Sequence, residues 1–250
     1  KVTAAGVVTT LAGAPGLPGA TDGTGSNARL GTIYALAVDG SGTVWVTEED
    51  NHTIRKISPA GVVTTFAGEA GVKGSNDATG TSAHFSSPVG IAVDRDGSLY
   101  VADRGNRVVR KITAAGVTST LAGTVGLGGN TDGAGSVARF NALSGLCLAA
   151  SGNLYITDSS SCLVRKITPA GVVSTLAGTG AVGSANGFGQ TASFDLPNGG
   201  AAYSRGGDGW IGADGTILVE VGVNGYSGSA WVMAQPSNPI DAIFRNGFDG

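Results

Sequence analysis

The sequence of 250 residues has few charged side chains and no long hydrophobic run, and each shortage excludes a class of protein. Charged residues make up 13% of the chain, about half of the usual quarter. The 15 Lys and Arg residues do not outnumber the 18 Asp and Glu residues, so the chain lacks the positive excess that binding to nucleic-acid phosphates requires. No apolar run approaches the roughly 18 residues of a membrane-spanning helix. We therefore expect neither a nucleic-acid partner nor a membrane span.

Histidine and the common catalytic motifs are also scarce. The two histidines, His52 and His84, lie outside any zinc-ligand or nucleophile motif. The chain contains no His-Glu-x-x-His and no Gly-x-Ser-x-Gly sequence, the patterns typical of zinc peptidases and of serine hydrolases. We therefore predict no catalytic residue from the sequence.

Glycine, by contrast, is abundant. The chain has 44 glycines, more than twice the typical share of roughly 7%. Its apolar fraction is 41% and its net charge is only -3, which is the balance of a folded chain rather than of a disordered one. This composition favours tightly turned β-structure over helix.

The chain repeats itself with a period of 55 residues. Arg-Lys-Ile recurs at Arg55, Arg110 and Arg165, and loop glycines recur at the same spacing. In the second unit, apolar β-prone runs between turn residues predict strands at 89–94, 98–102, 108–112 and 117–122. The first two runs are apolar on both faces and the last alternates with Thr and Ser, as in a sheet whose inner strands lie between neighbouring sheets. The sequence predicts an all-β fold, a β-propeller of four-stranded antiparallel blades.

The repeated residues resemble those of NHL-repeat propellers. The resemblance rests on Pro88–Asp94, Gly97–Asp103, Arg110-Lys111-Ile112 and Leu121-Ala122-Gly123, and it covers roughly residues 1–197. It implies a ring of about six blades and a platform for protein, RNA or small ligands, in a family related to some lyase and hydrolase propellers.

Three units are well kept and a fourth is degenerate, so the ring is expected to be incomplete. The chain begins in the last part of a unit, whose strand Val7–Ala12 either joins the final blade or follows further repeats upstream. The tail Ile240–Asp249 resembles the carboxyl-terminal ending of exported Gram-negative proteins. The predicted segments are 1–13 (end of a blade), 14–68, 69–123 and 124–178 (three repeats), 179–235 (degenerate repeat) and 236–250 (tail).

A long loop joins each blade to the next and ends in a large apolar residue, which is Leu30, Phe85 or Phe140. We expect this residue to anchor the loop between blades. Each loop also carries one aspartate, Asp22, Asp77 or Asp132. These are weak candidates for calcium, because calcium takes six to eight oxygens and a turn closed by Asp explains the same residue. We predict no cofactor, with calcium as the alternative.

Two further sets of residues have repeat positions that indicate structural roles. Glu48, Asp103 and Asp158 precede the repeated arginines and are expected to pair with them across the second and third strands. Cys147 on a first strand and Cys162 at the start of a third strand are separated by one strand, about 10 Å, which exceeds the ~7 Å limit for a disulfide. We predict two free thiols.

Residues that differ between copies are the better candidates for binding. The loop between second and third strands differs most, and its residues Glu49, Asp50, His52, Arg104, Arg107, Ser159 and Ser160 form the predicted recognition surface. We expect a non-catalytic scaffold that binds a protein or glycan partner and is located outside the cytoplasm, extracellular or periplasmic, in a bacterium. The alternative is a propeller enzyme of the metal-dependent lactonase or lyase type.

Overall fold

Three antiparallel sheets follow one another along the chain, one for each well-kept repeat. The computed structural model describes residues 1–197 and two strands at 217–223 and 226–234, and of those two strands it describes the backbone. Within these residues no helix is long and apolar enough to cross a bilayer. The all-β class predicted from the sequence is confirmed.

The four long strands of each sheet form a meander in which consecutive strands are neighbours, and in the first and third sheets a two-residue strand precedes them and pairs with the last one. The first sheet contains β1 (Gly23–Thr24), β2 (Ile33–Val38), β3 (Val44–Glu48), β4 (Thr53–Ile57) and β5 (Val62–Ala67). The second contains β6 (Pro88–Val93), β7 (Leu99–Asp103), β8 (Val108–Ile112) and β9 (Thr118–Gly123). The third contains β10 (Gly133–Ala134), β11 (Leu143–Leu148), β12 (Leu154–Asp158), β13 (Leu163–Ile167) and β14 (Val172–Ala177). The four predicted strands of the second repeat are confirmed to within one residue at each end.

The structure contains a further short strand at the outer edge of the first and third sheets, which the sequence does not predict. In the first and third sheets the long loop adds β1 or β10 beside the outermost strand, and in the second sheet Thr79 makes a single bridge to Val117. Four one-turn 3-10 helices follow in the long loops, at Gly25–Asn27, Gly80–Ser82, Gly135–Val137 and Gly189–Thr191. The long loop therefore covers the exposed edge that the fourth strand would otherwise present.

The first long strands of the three blades, β2, β6 and β11, converge. Gly90 in β6 approaches the next blade so closely that a Cβ atom there would lie 2.5 Å from the Ser144 carbonyl oxygen. The Thr47 hydroxyl donates to the Val89 carbonyl (2.6 Å), and the Tyr34 and Ser144 hydroxyls are 3.4 Å apart although they belong to the first and third blades. The three sheets thus radiate from a common centre, which is the arrangement of propeller blades.

Apolar clusters fill the spaces between blades. Phe85 lies in the cluster between the first and second blades, and Phe140 lies in the cluster between the second and third. Both rings are fully buried, and Phe194 is 2% exposed at the equivalent place in the next unit. The predicted anchoring role of the loop aromatic is confirmed for these residues.

One face of the first blade is open within the described part of the chain. Leu36 is 52% exposed, whereas Ile91 and Leu146 at the equivalent positions of the next two blades are 4% and 1% exposed. On the outer half of this face, Leu11 and Ala12 pack against Val63 and its neighbours. The strand predicted at 7–12 pairs with the first residues of the chain, since Val2 bridges Val8 and the Thr9 amide donates to the Lys1 carbonyl.

The degenerate unit is described only in part. Strands β15 (Ile217–Val223) and β16 (Tyr226–Ala234) lie within the predicted degenerate repeat and pair antiparallel. Residues 198–216, 224–225 and 235–250 lie outside the described residues, and with them part of the predicted degenerate repeat and the predicted tail.

The anchoring role of Phe140 yields a stability prediction. Phe140→Ala removes a fully buried ring from the cluster between blades and should lower the free energy of unfolding by about 3 to 5 kcal/mol, measured by chemical denaturation. Val137→Ala in the same loop removes a side chain that is 57% exposed and serves as the control, with a change below about 0.5 kcal/mol. A loss below about 1 kcal/mol for Phe140→Ala would refute the anchoring role.

Candidate functional site

The most conspicuous polar feature of each blade is a fully buried arginine that holds the long loop. In the second blade the Arg110 guanidinium donates through Nη1 to Asp103 (3.0 Å) and to the His84 carbonyl (3.0 Å). Through Nη2 it donates to Asp77 (2.7 Å) and to the Asn76 carbonyl (3.1 Å). One side chain therefore joins the second strand, the third strand and both ends of the loop segment 76–84.

The same arrangement recurs in the other two blades. Arg55 pairs with Glu48 (2.9 Å) and Asp22 (2.8 Å), and Arg165 pairs with Asp132 (2.7 Å) and lies 3.9 Å from Asp158. The repeated carboxylates also accept from backbone amides before the first long strand, such as Ser86 to Asp103 (2.8 Å). The predicted pairing across strands is confirmed, and its extension to the long loop is a feature that the sequence analysis did not foresee.

The loop aspartates are engaged by protein groups. Asp77 accepts from Arg110 and from the Thr120 amide (3.0 Å), and Asp132 accepts from Arg165 and from the Thr175 amide (2.9 Å). These aspartates therefore do not close turns within their own loop, as the sequence suggested. They link the long loop to the third and fourth strands of the blade. Within the described residues, no three His, Cys, Asp or Glu side chains are placed to hold a metal ion.

Burial changes the acidity of one carboxyl in this arrangement. The Asp103 side chain is completely buried, and burial raises its pKa to about 6, although hydrogen bonds from the Asn106 amide, the Ser86 N–H and Arg110 act in the opposite direction. The carboxyl therefore binds a proton more tightly in the folded chain than in the unfolded chain, where its pKa is 3.8.

The predicted recognition loops all lie at one edge of the propeller. In a four-stranded meander, the connections between second and third strands share an edge with the long loops between blades. Backbone hydrogen bonds confirm that these loops are adjacent, because the Gly71 amide donates to the Asn51 carbonyl and the Gly126 amide donates to the Asn106 carbonyl. We call this edge, with loops 49–52, 104–107 and 159–162 and the adjoining long loops, the upper rim.

The three equivalent residues that end these loops have left-handed backbone conformations. His52, Arg107 and Cys162 have φ values of 60°, 60° and 52°, and one-turn 3-10 helices at Arg104–Asn106 and Ser159–Ser161 precede the last two. In the first blade this turns the His52 ring inward, where its Nδ1 accepts from the Ser87 amide of the next blade (3.2 Å). Burial and the charge of Lys73 lower the pKa of His52.

The structure divides the predicted binding residues into buried and accessible ones. His52 and Ser159 are each only 5% exposed, and the Ser159 hydroxyl donates to the Ala142 carbonyl. Glu49, Arg104 and Arg107 are partly exposed, and Asp50 and Ser160 are exposed. The surface of the rim is therefore formed by the second group, with His52 and Ser159 as supports beneath it.

The rim also contains residues that the sequence analysis did not select. Tyr34 is 42% exposed where the first strands converge, at a position that is Val89 and Ser144 in the other blades. Val125 and Leu127, 43% and 52% exposed, lie in the long loop beside Arg107. Tyr34 and Val125 depart from the repeat, as Arg104 does, and that departure is the signal that could have found them, whereas Leu127 is matched by Leu17 in the first long loop.

Both cysteines are free, as predicted, and both are buried. Strand β12 lies between the strand of Cys147 and the strand that follows Cys162. Burial raises the pKa of the Cys147 thiol to about 12, so this thiol is a packing residue and not a nucleophile.

Comparisons with known proteins agree with this architecture. A family model described as NHL repeat matches residues 85–111. A curated protein from Arabidopsis thaliana, Protein SUPPRESSOR OF QUENCHING 1, chloroplastic, is 34% identical over 95 residues, which is 38% of this chain and 9% of that protein. The chain thus spans a small part of the curated relative.

Solved structures with similar folds include binding proteins and an enzyme. An auxiliary nutrient binding protein from Bacteroides ovatus has a TM-score of 0.56 and 20% identity, with 76% of this chain and 46% of that chain covered. A gluconolactonase from Xanthomonas campestris has a TM-score of 0.54 and 14% identity, with 86% of this chain and 61% of that chain covered. At these identities the likeness establishes the fold.

The raised pKa of Asp103 predicts a pH dependence of stability. Between pH 7 and pH 5 the folded chain takes up a proton at Asp103 that the unfolded chain does not, so this group stabilises the fold as the pH falls toward 5. The free energy of unfolding of the wild type relative to Asp103→Asn should rise by ~1 kcal/mol over that range. Urea denaturation of both proteins at each pH measures it.

Taking the difference between the two proteins removes the contributions of other groups. His52, whose lowered pKa makes its protonation unfavourable, acts in the opposite direction in both proteins and cancels. A difference that does not change between pH 7 and pH 5 would show that the Asp103 pKa is not raised.

Proposed function

We propose that this chain, which folds into β-propeller blades and whose second repeat matches the NHL repeat, is a non-catalytic binding scaffold that holds a protein or glycan partner on its upper rim. The observation that supports this proposal is the division between repeated and unrepeated side chains. The buried arginine and its carboxylates recur in all three blades, whereas the accessible rim carries acidic, basic and hydroxyl side chains on successive blades.

Most charges of the rim have no ion-pair partner in the fold. Glu49 on the first blade, and Arg104 and Arg107 on the second, form none of the ion pairs found among the described residues, whereas the Asp50 carboxylate accepts hydrogen bonds from Thr32 and from the Asn51 amide. Charged groups at a protein surface that lack partners are available to a ligand, and they set specificity and the association rate. A rim with acidic and basic sectors fits a partner that carries both charges or several hydrogen-bonding groups.

The location of the protein follows from the same proposal. The low charge of the sequence, its export-like tail and the likeness to nutrient binding proteins from Bacteroides support a bacterial protein in the periplasm or outside the cell. In such a setting the rim would meet glycans and proteins of the cell envelope or of the surroundings.

A variant series tests the role of the rim. The wild type, Arg104→Ala/Arg107→Ala and Glu49→Ala/Asp50→Ala would be compared on glycan arrays and on immobilised cell-envelope proteins. At least one rim variant should lose about tenfold or more in affinity, as expected for interface residues at a binding site. The control is Arg95→Ala, which removes an exposed arginine from the opposite edge of the second blade. Binding that is lost equally in the control, or in no rim variant, would contradict the proposal.

Metal analysis and metal removal distinguish the proposed scaffold function from the alternative, a metal-dependent lactonase or lyase. We expect purified protein to contain less than ~0.1 equivalent of calcium or zinc, because the loop aspartates already bind arginine and calcium sites use six to eight oxygens. EDTA should shift the melting temperature by less than about 1 °C, since a ligand that does not bind cannot stabilise the fold. Stoichiometric metal, or a clear loss of stability in EDTA, would favour the enzyme.

A further inference from the structure

On the upper rim, a loop that carries two arginines lies beside a long loop that carries two exposed aliphatic side chains. Arg104 and Arg107 belong to the loop of the second blade, and Val125 and Leu127 belong to the long loop that follows this blade. The two aliphatic side chains are 43% and 52% exposed. We call these four residues the arginine-aliphatic patch.

The Arg107 side chain lies directly on the long loop. Its Nη1 is 3.5 Å from the Gly126 carbonyl oxygen, between Val125 and Leu127 in sequence. A Cβ atom at Gly128 would lie 2.5 Å from Nη1 of Arg107 and 2.8 Å from Oδ1 of Asn141. The guanidinium therefore occupies space that is open only because residue 128 is glycine, and this contact places a positive charge beside the aliphatic pair.

Arg104 and Arg107 differ from most other arginines of the described chain, and Arg95, which also forms no ion pair, lies on the opposite edge of the second blade. Arg55, Arg110 and Arg165 are buried in ion pairs, and the Arg29 and Arg139 side chains donate to carbonyl groups of their own loops. Within the described residues no carboxylate lies in ion-pair distance of Arg104 or Arg107. The patch therefore presents two unneutralised cations.

The repeat shows that the patch is not required by the blade. The positions of Val125, Leu127 and Gly128 are Ala70, Val72 and Lys73 in the preceding loop. A lysine in place of Gly128 would compete with Arg107 for the same space, and an alanine in place of Val125 would remove half of the apolar pair. Leu127 is matched by the exposed Leu17 of the first long loop, so the features that belong to the second blade alone among the three well-kept repeats are Arg104, Arg107, Val125 and Gly128.

We propose that the arginine-aliphatic patch docks a segment of a partner protein that carries carboxylates next to aliphatic or aromatic side chains. An arginine binds a carboxylate through two parallel hydrogen bonds, and Val125 and Leu127 gain from burial only under an apolar group. A sulfated or uronic-acid glycan would supply the anion but no comparable apolar cover. The inference rests on the proposed binding function and assigns the kind of partner to one sector of the rim.

Fluorescence anisotropy of a labelled peptide tests this proposal. The probe is a twelve-residue peptide that repeats Asp-Leu-Asp-Phe, and the comparison peptides replace Leu and Phe with Ser or Asp with Lys. The wild type should bind the probe at least tenfold more tightly than either comparison peptide, and the affinity should fall with added salt because exposed charges are screened. Dextran sulfate is added as a competitor that carries charge alone.

Three variants separate the parts of the patch. Arg104→Ala/Arg107→Ala and Val125→Ser/Leu127→Ser should each weaken probe binding at least tenfold, and Gly128→Ala, which displaces the Arg107 guanidinium, should weaken it at least threefold. The control is Gly40→Ala on the opposite edge, where an added Cβ meets no atom within 4 Å. Unchanged circular dichroism and melting temperature in each variant would show that the fold is intact.

Other outcomes would overturn the proposal. No binding of the probe, or binding that survives either double substitution, would show that the patch is not the docking site. Equal binding of the Asp-Ser peptide with efficient competition by dextran sulfate would show recognition of charge alone. The broader scaffold function has its own readout in the rim variants at Glu49 and Asp50, which lie outside the patch, so failure of the patch and failure of the scaffold are distinguishable.

Discussion

The rest of this structure depends on a buried guanidinium in each blade. Arg55, Arg110 and Arg165 are completely buried, and each joins a carboxylate on the second strand to an aspartate in the long loop. Ion pairs of this kind give little net stability compared with apolar residues, but removal of one partner costs about 3 to 5 kcal/mol because the other charge is left buried. Their contribution is therefore best understood as fixing the position of the loop on the blade.

That fixed loop determines both the interior and the surface. At one end it places Phe85 or Phe140 between two blades, with the guanidinium of Arg110 or Arg165 about 5 Å from the ring centroid (5.0 and 5.3 Å). At the other end it lies beside the connection between second and third strands and completes the upper rim. Because the framework carries the same side chains in each blade, the rim residues can differ from blade to blade without a cost to folding.

The sequence predicts the strands of the second blade closely, because short apolar β-prone runs and the glycine-containing turns between them are local signals. It does not predict the edge strands β1 and β10, since two residues in a glycine-rich loop have no pattern of their own. It also places His52 and Ser159 among the exposed binding residues, whereas the left-handed conformation at the end of the loop turns the His52 ring toward the next blade. Backbone conformation of this kind is not evident from a non-glycine residue in the sequence.

The arginine-aliphatic patch is likewise only partly predictable from the sequence. Arg104 and Arg107 are visible as departures from the repeat, but the proximity of Arg107 to Gly126 and Gly128 results from the packing of two loops that are about 20 residues apart in sequence. Comparison of the repeats therefore indicates which positions vary between blades, and the structure shows which of the residues at these positions are in contact.

Hydrogen exchange in Arg110→Lys tests the central role of the buried arginine most directly. Lysine keeps the charge but cannot reach Asp103, Asp77 and the two loop carbonyls together. The amides of Ser86 and Thr120, which donate to Asp103 and Asp77, should exchange at least tenfold faster, whereas those of Asn141 and Thr175, their equivalents in the third blade, should not change. Unchanged exchange at Ser86 and Thr120, or equal acceleration in both blades, would contradict the account.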